Sequence, residues 1–212
     1  MLTLASGIGS ARTENAVRWL LSEPSLENVP YIPRAVICAG YSGALKPEFK
    51  VGDVILATSV VDMEGTSWEA TWPGELPGGE WRPPLHRGAV LTAPRLIDNP
   101  VEKQSLGQKH GALAVDMETA LVARACRQKG IPFGCVRAIS DEMATALSPE
   151  LVSLVSSSRV SPVSVLSALL RSPGIVGPLW GLARATRLAS RQLAKALGEL
   201  LTLTLPWSGD LG

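Results

Sequence analysis

Residues 115–142 read VDMETALVARACRQKGIPFGCVRAISDE: two apolar runs, a stretch between them, and acidic groups at the end of each run. The runs GALAVD (111–116) and PFGCVRAIS (132–140) are short and rich in Val, Ile and Ala, as strands covered on both faces are. Between them the spacing predicts a helix over about 118–129. Gly130 stands where a helix C-terminus favours a left-handed residue, and Pro132 follows it. Strand, helix, strand is the grammar of an α/β fold.

The rest of the chain reads in the same way. LTLA (2–5) is expected as a strand, followed by the glycine turn SGIGS and a helix through ARTENAVRWLL. RAVICAG (34–40), VGDVILATSVVD (51–62) and RGAVLTA (87–93) are further strands, the first ending in a turn at GYSGALKP. Residues 65–87 hold Trp68, Trp72 and Trp81 among prolines and glycines. So long a loop suits a lid, a binding loop or a subunit contact, although the rings could equally fold back on the sheet edge. In 151–212 six basic side chains face two acidic ones. Leu182, Ala185, Ala189, Leu193, Ala196 and Leu200 share one helix face there, with Arg184, Arg187, Arg191 and Lys195 opposite. The expected organisation is a domain over 1–150 and a helical extension over 151–212 packed on it. A solvated basic face is the plain reading of that helix; weak contact with an anionic membrane surface is the other.

Composition narrows the function. A net charge of +1 with 18% charged residues gives no general electrostatic case for nucleic acid. The three cysteines, Cys38, Cys126 and Cys135, lie in apolar runs and form no CxxC pair, as buried thiols in a reducing compartment do. The start MLTLASGIGS has neither a basic segment nor a long apolar one, and no unbroken apolar stretch reaches about 20 residues. A cytoplasmic protein is expected. His86 and His110 have no metal-ligand spacing, so neither metal nor cofactor is expected.

In open α/β sheets reactive groups gather beyond the carboxyl ends of the strands. SGIGS, GYSG, DMET and SDE all occupy that position, and their glycines would let backbone N–H groups approach an anion or ligand. Bland alternatives exist for the acids. Glu118 falls in a first helical turn, where the dipole favours any acid, and Asp141 could cap a following helix.

SGIGS, CAGYSGALKPEFKVGDVILA and AVDMETALVARACRQKGIPFGCVRAISD resemble, in that order, the nucleoside phosphorylase and methylthioadenosine/S-adenosylhomocysteine nucleosidase superfamily. The tail RSPGIVGPLWGLARATRLASRQLAKAL looks like its hopanoid-associated phosphorylase branch. The resemblance implies a three-layer α/β/α nucleoside phosphorylase-like fold with a mixed central sheet, its first strands missing and a raw sheet edge left behind. It also implies cleavage of the N-glycosidic bond of a purine, adenosine-type nucleoside by a homo-oligomer. Phosphorolysis is slightly preferred, with phosphate as co-substrate. A phosphate-independent nucleosidase and a non-catalytic nucleoside-binding remnant are the alternatives.

The resemblance assigns roles as well. Glu118 would hold the ribose hydroxyls, with Met117 packed on the sugar and Asp116 beside it. Asp141, with Ser140, would serve the purine nitrogen that takes the proton. Such a donor calls for a pKa raised by burial or by a neighbouring acid such as Glu118. Gly40, Ser42, Gly43 and Leu96 are expected against the substrate, and Tyr41 is expected to narrow the pocket floor. Gly7, Gly9 and Arg12 are candidates for a phosphate.

Overall fold

The computed structural model describes residues 2–7, 9–22, 25–26, 29–30, 33–72, 85–146 and 176–204. In chain order they form α1 (Ser10–Leu21), a small hairpin of β1 (Ser25–Leu26) and β2 (Val29–Pro30), β3 (Val36–Ala44), β4 (Val54–Asp62) and β5 (Ser67–Glu69). There follow β6 (Leu85–Thr92), α2 (Pro100–His110), β7 (Ala112–Asp116), α3 (Thr119–Lys129), β8 (Phe133–Asp141) and α4 (Val176–Thr204). Gly130 ends α3 at φ 66°, in the left-handed conformation its position called for.

The six-stranded sheet runs β5-β4-β6-β7-β3-β8, mixing parallel and antiparallel pairs. It then curls until β8 pairs antiparallel with β4, Val54 opposite Ala138. β4, β6, β7, β3 and β8 therefore form a closed ring, and β8 presents no raw edge. Helices cover the sheet from separate sides. Ala120, Ala123 and Cys126 of α3 pack with Ile55, Val60, Val90 and Ile139, and Leu21 of α1 joins them. Ala196 and Leu200 of α4 pack with Val54, Leu56 and Val136. Leu106 of α2 closes a smaller cluster with Leu45, Leu91 and Val115. The mixed α/β architecture implied by the sequence is what the chain adopts.

Several elements differ from the sequence reading. Residues 2–5 form no strand; Leu4 is exposed, and among the described residues no strand pairs with them. Strand formation needs a partner to take its N–H and C=O groups, which an apolar pattern alone does not supply. GYSG is no turn: β3 continues through it, paired with β8 from Val36↔Phe133 to Gly43↔Asp141 with a register shift at Ser42/Gly43. Tyr41, expected to narrow a pocket floor, is 43% exposed, its hydroxyl 2.7 Å from Ser190 Oγ on α4.

Trp68 and Trp72 pack on the sheet, the indole of Trp72 donating to Ala57 O at 3.2 Å. Trp81 lies outside the described residues. On α4 the apolar and basic faces fall as the spacing dictates: Ala189, Ala196 and Leu200 are buried, while Arg184, Arg187, Arg191 and Lys195 are exposed.

Helix α2 escaped the sequence reading because it has almost no apolar stripe. Val101 is 75% exposed, and of its hydrophobic side chains Leu106 alone is buried. Its signals are terminal ones. Asn99 Oδ1 accepts the N–H groups of Val101 and Glu102, Pro100 opens the helix, and Gly111 closes it at φ 62°.

Gly107 lets α2 come close to the chain after β3. A β-carbon there would lie 2.6 Å from the carbonyl oxygen of Leu45. Alanine would gain about 1 kcal/mol of helix propensity. Overpacking against a backbone atom that cannot rotate away costs about 1–3 kcal/mol, the larger effect. Gly107→Ala is expected to lower the urea midpoint of unfolding, and Gly107→Val to lower it further.

Candidate active site

The strand ends bring the acidic segments together. Across the sheet Asp141 pairs with Gly43, Gly43 with Val115, and Thr92 with Asp116. The ends of β8 and β7 thus lie two strand spacings apart, about 10 Å. Segments far apart in sequence are neighbours because the sheet puts β3 between them.

Asp116 is 5% exposed and lies at the centre of a hydrogen-bonded knot. Its Oδ1 accepts from Thr92 Oγ1 at 2.8 Å and from the N–H groups of Glu118 and Thr119 at 3.3 and 3.2 Å. Its Oδ2 accepts the Thr119 hydroxyl and lies 2.6 Å from Arg137 Nη2. Arg137 also donates to Thr119 Oγ1 and to Cys38 Sγ. A β-carbon on Gly40 would collide with Arg137 Nη1, so Gly40 makes room for the guanidinium. Burial and the arginine's companions explain the cysteines: desolvation pushes Cys135 up to about 12 and also raises Cys38, with Arg137 opposing in both. Of the residues expected against the substrate, Asp116 is buried in this knot, and Gly40, partly exposed, lies against the guanidinium.

Glu118 stands at the N-terminus of α3, and its side chain does not cap that helix. Asp116 caps it instead, and Thr92 Oγ1 accepts the N–H of Ala120. The freed carboxylate accepts the N–H of Gly9 at 2.9 Å, across 109 residues. Gly9 has φ 106°, a conformation that L side chains rarely adopt and glycine tolerates. Its N–H, a candidate for holding phosphate, is thereby committed to Glu118. Arg12 packs beside Gly7, its Nη1 3.3 Å from where a Gly7 β-carbon would be. Burial raises the pKa of Glu118 above the usual carboxylate value and the Gly9 N–H opposes it, while Asp116 adds to the rise. Glu118 lies at the N-terminus of α3, where the helix dipole acts on it as well.

Asp141 ends β8 without capping a helix among the described residues. Its Oδ1 accepts the Ser140 hydroxyl at 2.9 Å, and its Oδ2 accepts Lys103 Nζ at 2.5 Å. The close ionisable partner is thus a cation, where the sequence reading offered burial or a neighbouring acid such as Glu118; the acid acting on Glu118 is Asp116. A β-carbon on Gly43 would lie 2.8 Å from Asp141 Oδ2, so the glycine is required for this carboxylate to lie where it does. Ser140 Oγ also reaches the carbonyl of Ser42 at 3.3 Å, whereas the Ser42 side chain is 4% exposed and faces inward. Met117 is partly exposed beside Glu118. Leu96, also partly exposed, lies in the loop after β6, beyond Thr92.

Lys103 was not foreseen. It is 0% exposed and sits on α2, the helix whose pattern gave no warning. A separate groove of about 450 Å³, lined by Trp180, Arg184, Arg187 and Arg191, belongs to α4 and contains none of these groups. Among the described residues no three His, Cys, Asp or Glu side chains converge as metal ligands, and no helix is long and apolar enough to cross a membrane.

The family model described as Phosphorylase superfamily matches residues 2–170. The 5'-methylthioadenosine/S-adenosylhomocysteine nucleosidase of Exiguobacterium sp. (strain ATCC BAA-1283 / AT1b) is 30% identical over 169 residues, covering 66% of this chain and 67% of its own. The nucleosidase of the same name from Bacillus cereus (strain B4264) is 29% identical over 163 residues, 66% of this chain and 68% of its own. Among solved structures, the Streptococcus pneumoniae MTA/SAH nucleosidase in complex with 8-aminoadenine superposes with a TM-score of 0.59 at 17% identity, covering 93% of this chain and 79% of that one. At that identity the likeness speaks for the fold alone.

Two outcomes follow from the charges. Arg137→Met leaves Asp116 buried without its counter-charge and is expected to cost about 3–5 kcal/mol, read from urea unfolding. Because the pKa of Glu118 is raised in the folded state, folding favours its protonated form. Stability then declines as pH climbs from the unfolded value through the raised one, and the penalty persists above that window. Glu118→Gln removes the penalty and keeps an acceptor for Gly9. Its Tm is expected to exceed that of the unsubstituted protein at pH 7 by a few degrees, with the gap closing near pH 4.

Proposed function

This chain belongs to the phosphorylase superfamily, and on that premise we propose that it hydrolyses the N-glycosidic bond of an adenosine-type nucleoside, with water as the acceptor. The observation that carries the reading is the placing of Glu118. Its carboxylate is released from helix capping, half-buried and held by a glycine N–H, near the strand end that bears Asp141. A carboxylate in that state suits a sugar on which positive charge develops as the bond to the base breaks. Asp141 and Ser140 face the departing base, where Asp141 supplies the proton that lets it leave neutral. Met117 packs on the sugar.

Hydrolysis is favoured over phosphorolysis, the slight preference drawn from the tail. The relatives at 29–30% identity are named as nucleosidases. In addition, the Gly9 N–H that an anion would need is occupied by Glu118. The substrate class follows those relatives' names and extends to methylthioadenosine.

The test is incubation with adenosine and with methylthioadenosine, with and without phosphate. Free adenine and an unphosphorylated sugar in phosphate-free buffer are expected. Adenine that appears only with phosphate, alongside a sugar phosphate, would establish phosphorolysis; no adenine under either condition would favour a non-catalytic nucleoside-binding role. Glu118→Gln and Asp141→Asn should each lower kcat by about 10²–10⁴.

A further inference from the structure

Lys103 spends all its hydrogen-bonding capacity on one short segment. Its ammonium donates to Asp141 Oδ2 at 2.5 Å, to Glu142 O at 3.1 Å and to Thr145 O at 3.5 Å. The residue is 0% exposed, and the Asp141 side chain is 12% exposed. Taking an ammonium out of water costs several kcal/mol unless a well-placed counter-charge and further acceptors meet it. A methionine of similar volume would fill this place between α2 and the end of β8 but would leave the Asp141 carboxylate and two carbonyls without their donor. The ammonium thus serves the chain after β8 through the two carbonyls, and its charge is set against Asp141.

We propose that Lys103 is the positioning residue for Asp141: it fixes the carboxyl group toward the base and takes up the negative charge that group acquires in the reaction. The proposal rests on the glycosidic cleavage put forward above. As the carbon–nitrogen bond breaks, its electron pair stays with the base, the sugar carbon bonds to the oxygen of the attacking water, and the proton that this water sheds restores the Asp141 carboxyl for the next turnover. The proton moves from the Asp141 carboxyl to a ring nitrogen, and Asp141 is left as a carboxylate against the Lys103 ammonium, which keeps its three protons. Without Lys103 that carboxylate would form in a largely buried place with, among the described residues, the Ser140 hydroxyl to meet it, so the transition state would lose stabilisation that the bound substrate does not need. The backbone bonds to Glu142 and Thr145 hold the chain after β8 so that the geometry persists between turnovers.

The experiment is a double-mutant cycle on the full chain with methylthioadenosine, measuring kcat and KM for the unsubstituted protein, Lys103→Met, Asp141→Asn and the double variant. The expected result is a fall in kcat of about 30-fold or more for Lys103→Met with KM within about threefold, the signature of an interaction made in the transition state. In the Asp141→Asn background the same substitution should cost less than about threefold. An equal factor in both backgrounds, or an unchanged kcat for the single variant, would overturn the proposal. Should Lys103→Met fail to fold, Lys103→Gln, which keeps a donor and loses the charge, is taken through the same cycle with the same criteria. An unsubstituted protein that releases no adenine sinks the underlying reading and this inference with it. An active protein in which Lys103 and Asp141 act independently sinks the inference alone.

Discussion

The buried pair between Asp116 and Arg137 organises everything around it. Two opposite charges taken out of water gain little over a hydrophobic pair unless their remaining hydrogen-bonding groups are met. Here Thr92, Thr119 and two backbone N–H groups meet the carboxylate, and Thr119 and Cys38 meet the guanidinium. The pair binds the end of β7 to the middle of β8 and orders the first turn of α3 in the same stroke. Because Asp116 caps that helix, Glu118 need not, and its carboxylate can turn outward to Gly9. The placing of Glu118 is thus a consequence of how its neighbour Asp116 is neutralised.

The same logic governs the other acid. Glu118 and Asp141 each lean on a group from a distant segment, Gly9 before α1 and Lys103 on α2. Each partner differs in kind, a neutral N–H for one and a full positive charge for the other. The two carboxylates are therefore distinguished by their partners rather than by pressing on each other. Glycines make these approaches feasible: Gly43 leaves space for Asp141, and Gly40 for the arginine beneath the site.

The closing of the sheet explains why the ends converge. β8 pairs with β3 along its length on one side and with β4 over Val136–Ala138 on the other, and its inner residues Cys135, Val136, Ala138 and Ile139 are all 0% exposed. Helices α3 and α4 cover that strand's surroundings from separate clusters. Such a rigid base holds the ends of β7 and β8 in a fixed relation to each other.

Local pattern determined much of this protein. Continuous apolar runs and a glycine stop were enough to place β4, β6, β7, α3 and β8, and the alternation of α4's faces was readable because burial imposes a helical period on sequence. The acids at the strand ends stood out for the same reason, polar groups breaking apolar runs. What tertiary structure alone decided was partnership. Residues 2–5 had strand composition and found no ladder among the described residues, and GYSG had turn composition and was held extended by β8. α2 carried too few apolar residues to register, yet it delivers a fully buried lysine to Asp141. Sequence records each residue's preference for water, whereas the energy of a buried charge depends on which atoms lie within a few ångströms, and only the folded chain fixes those.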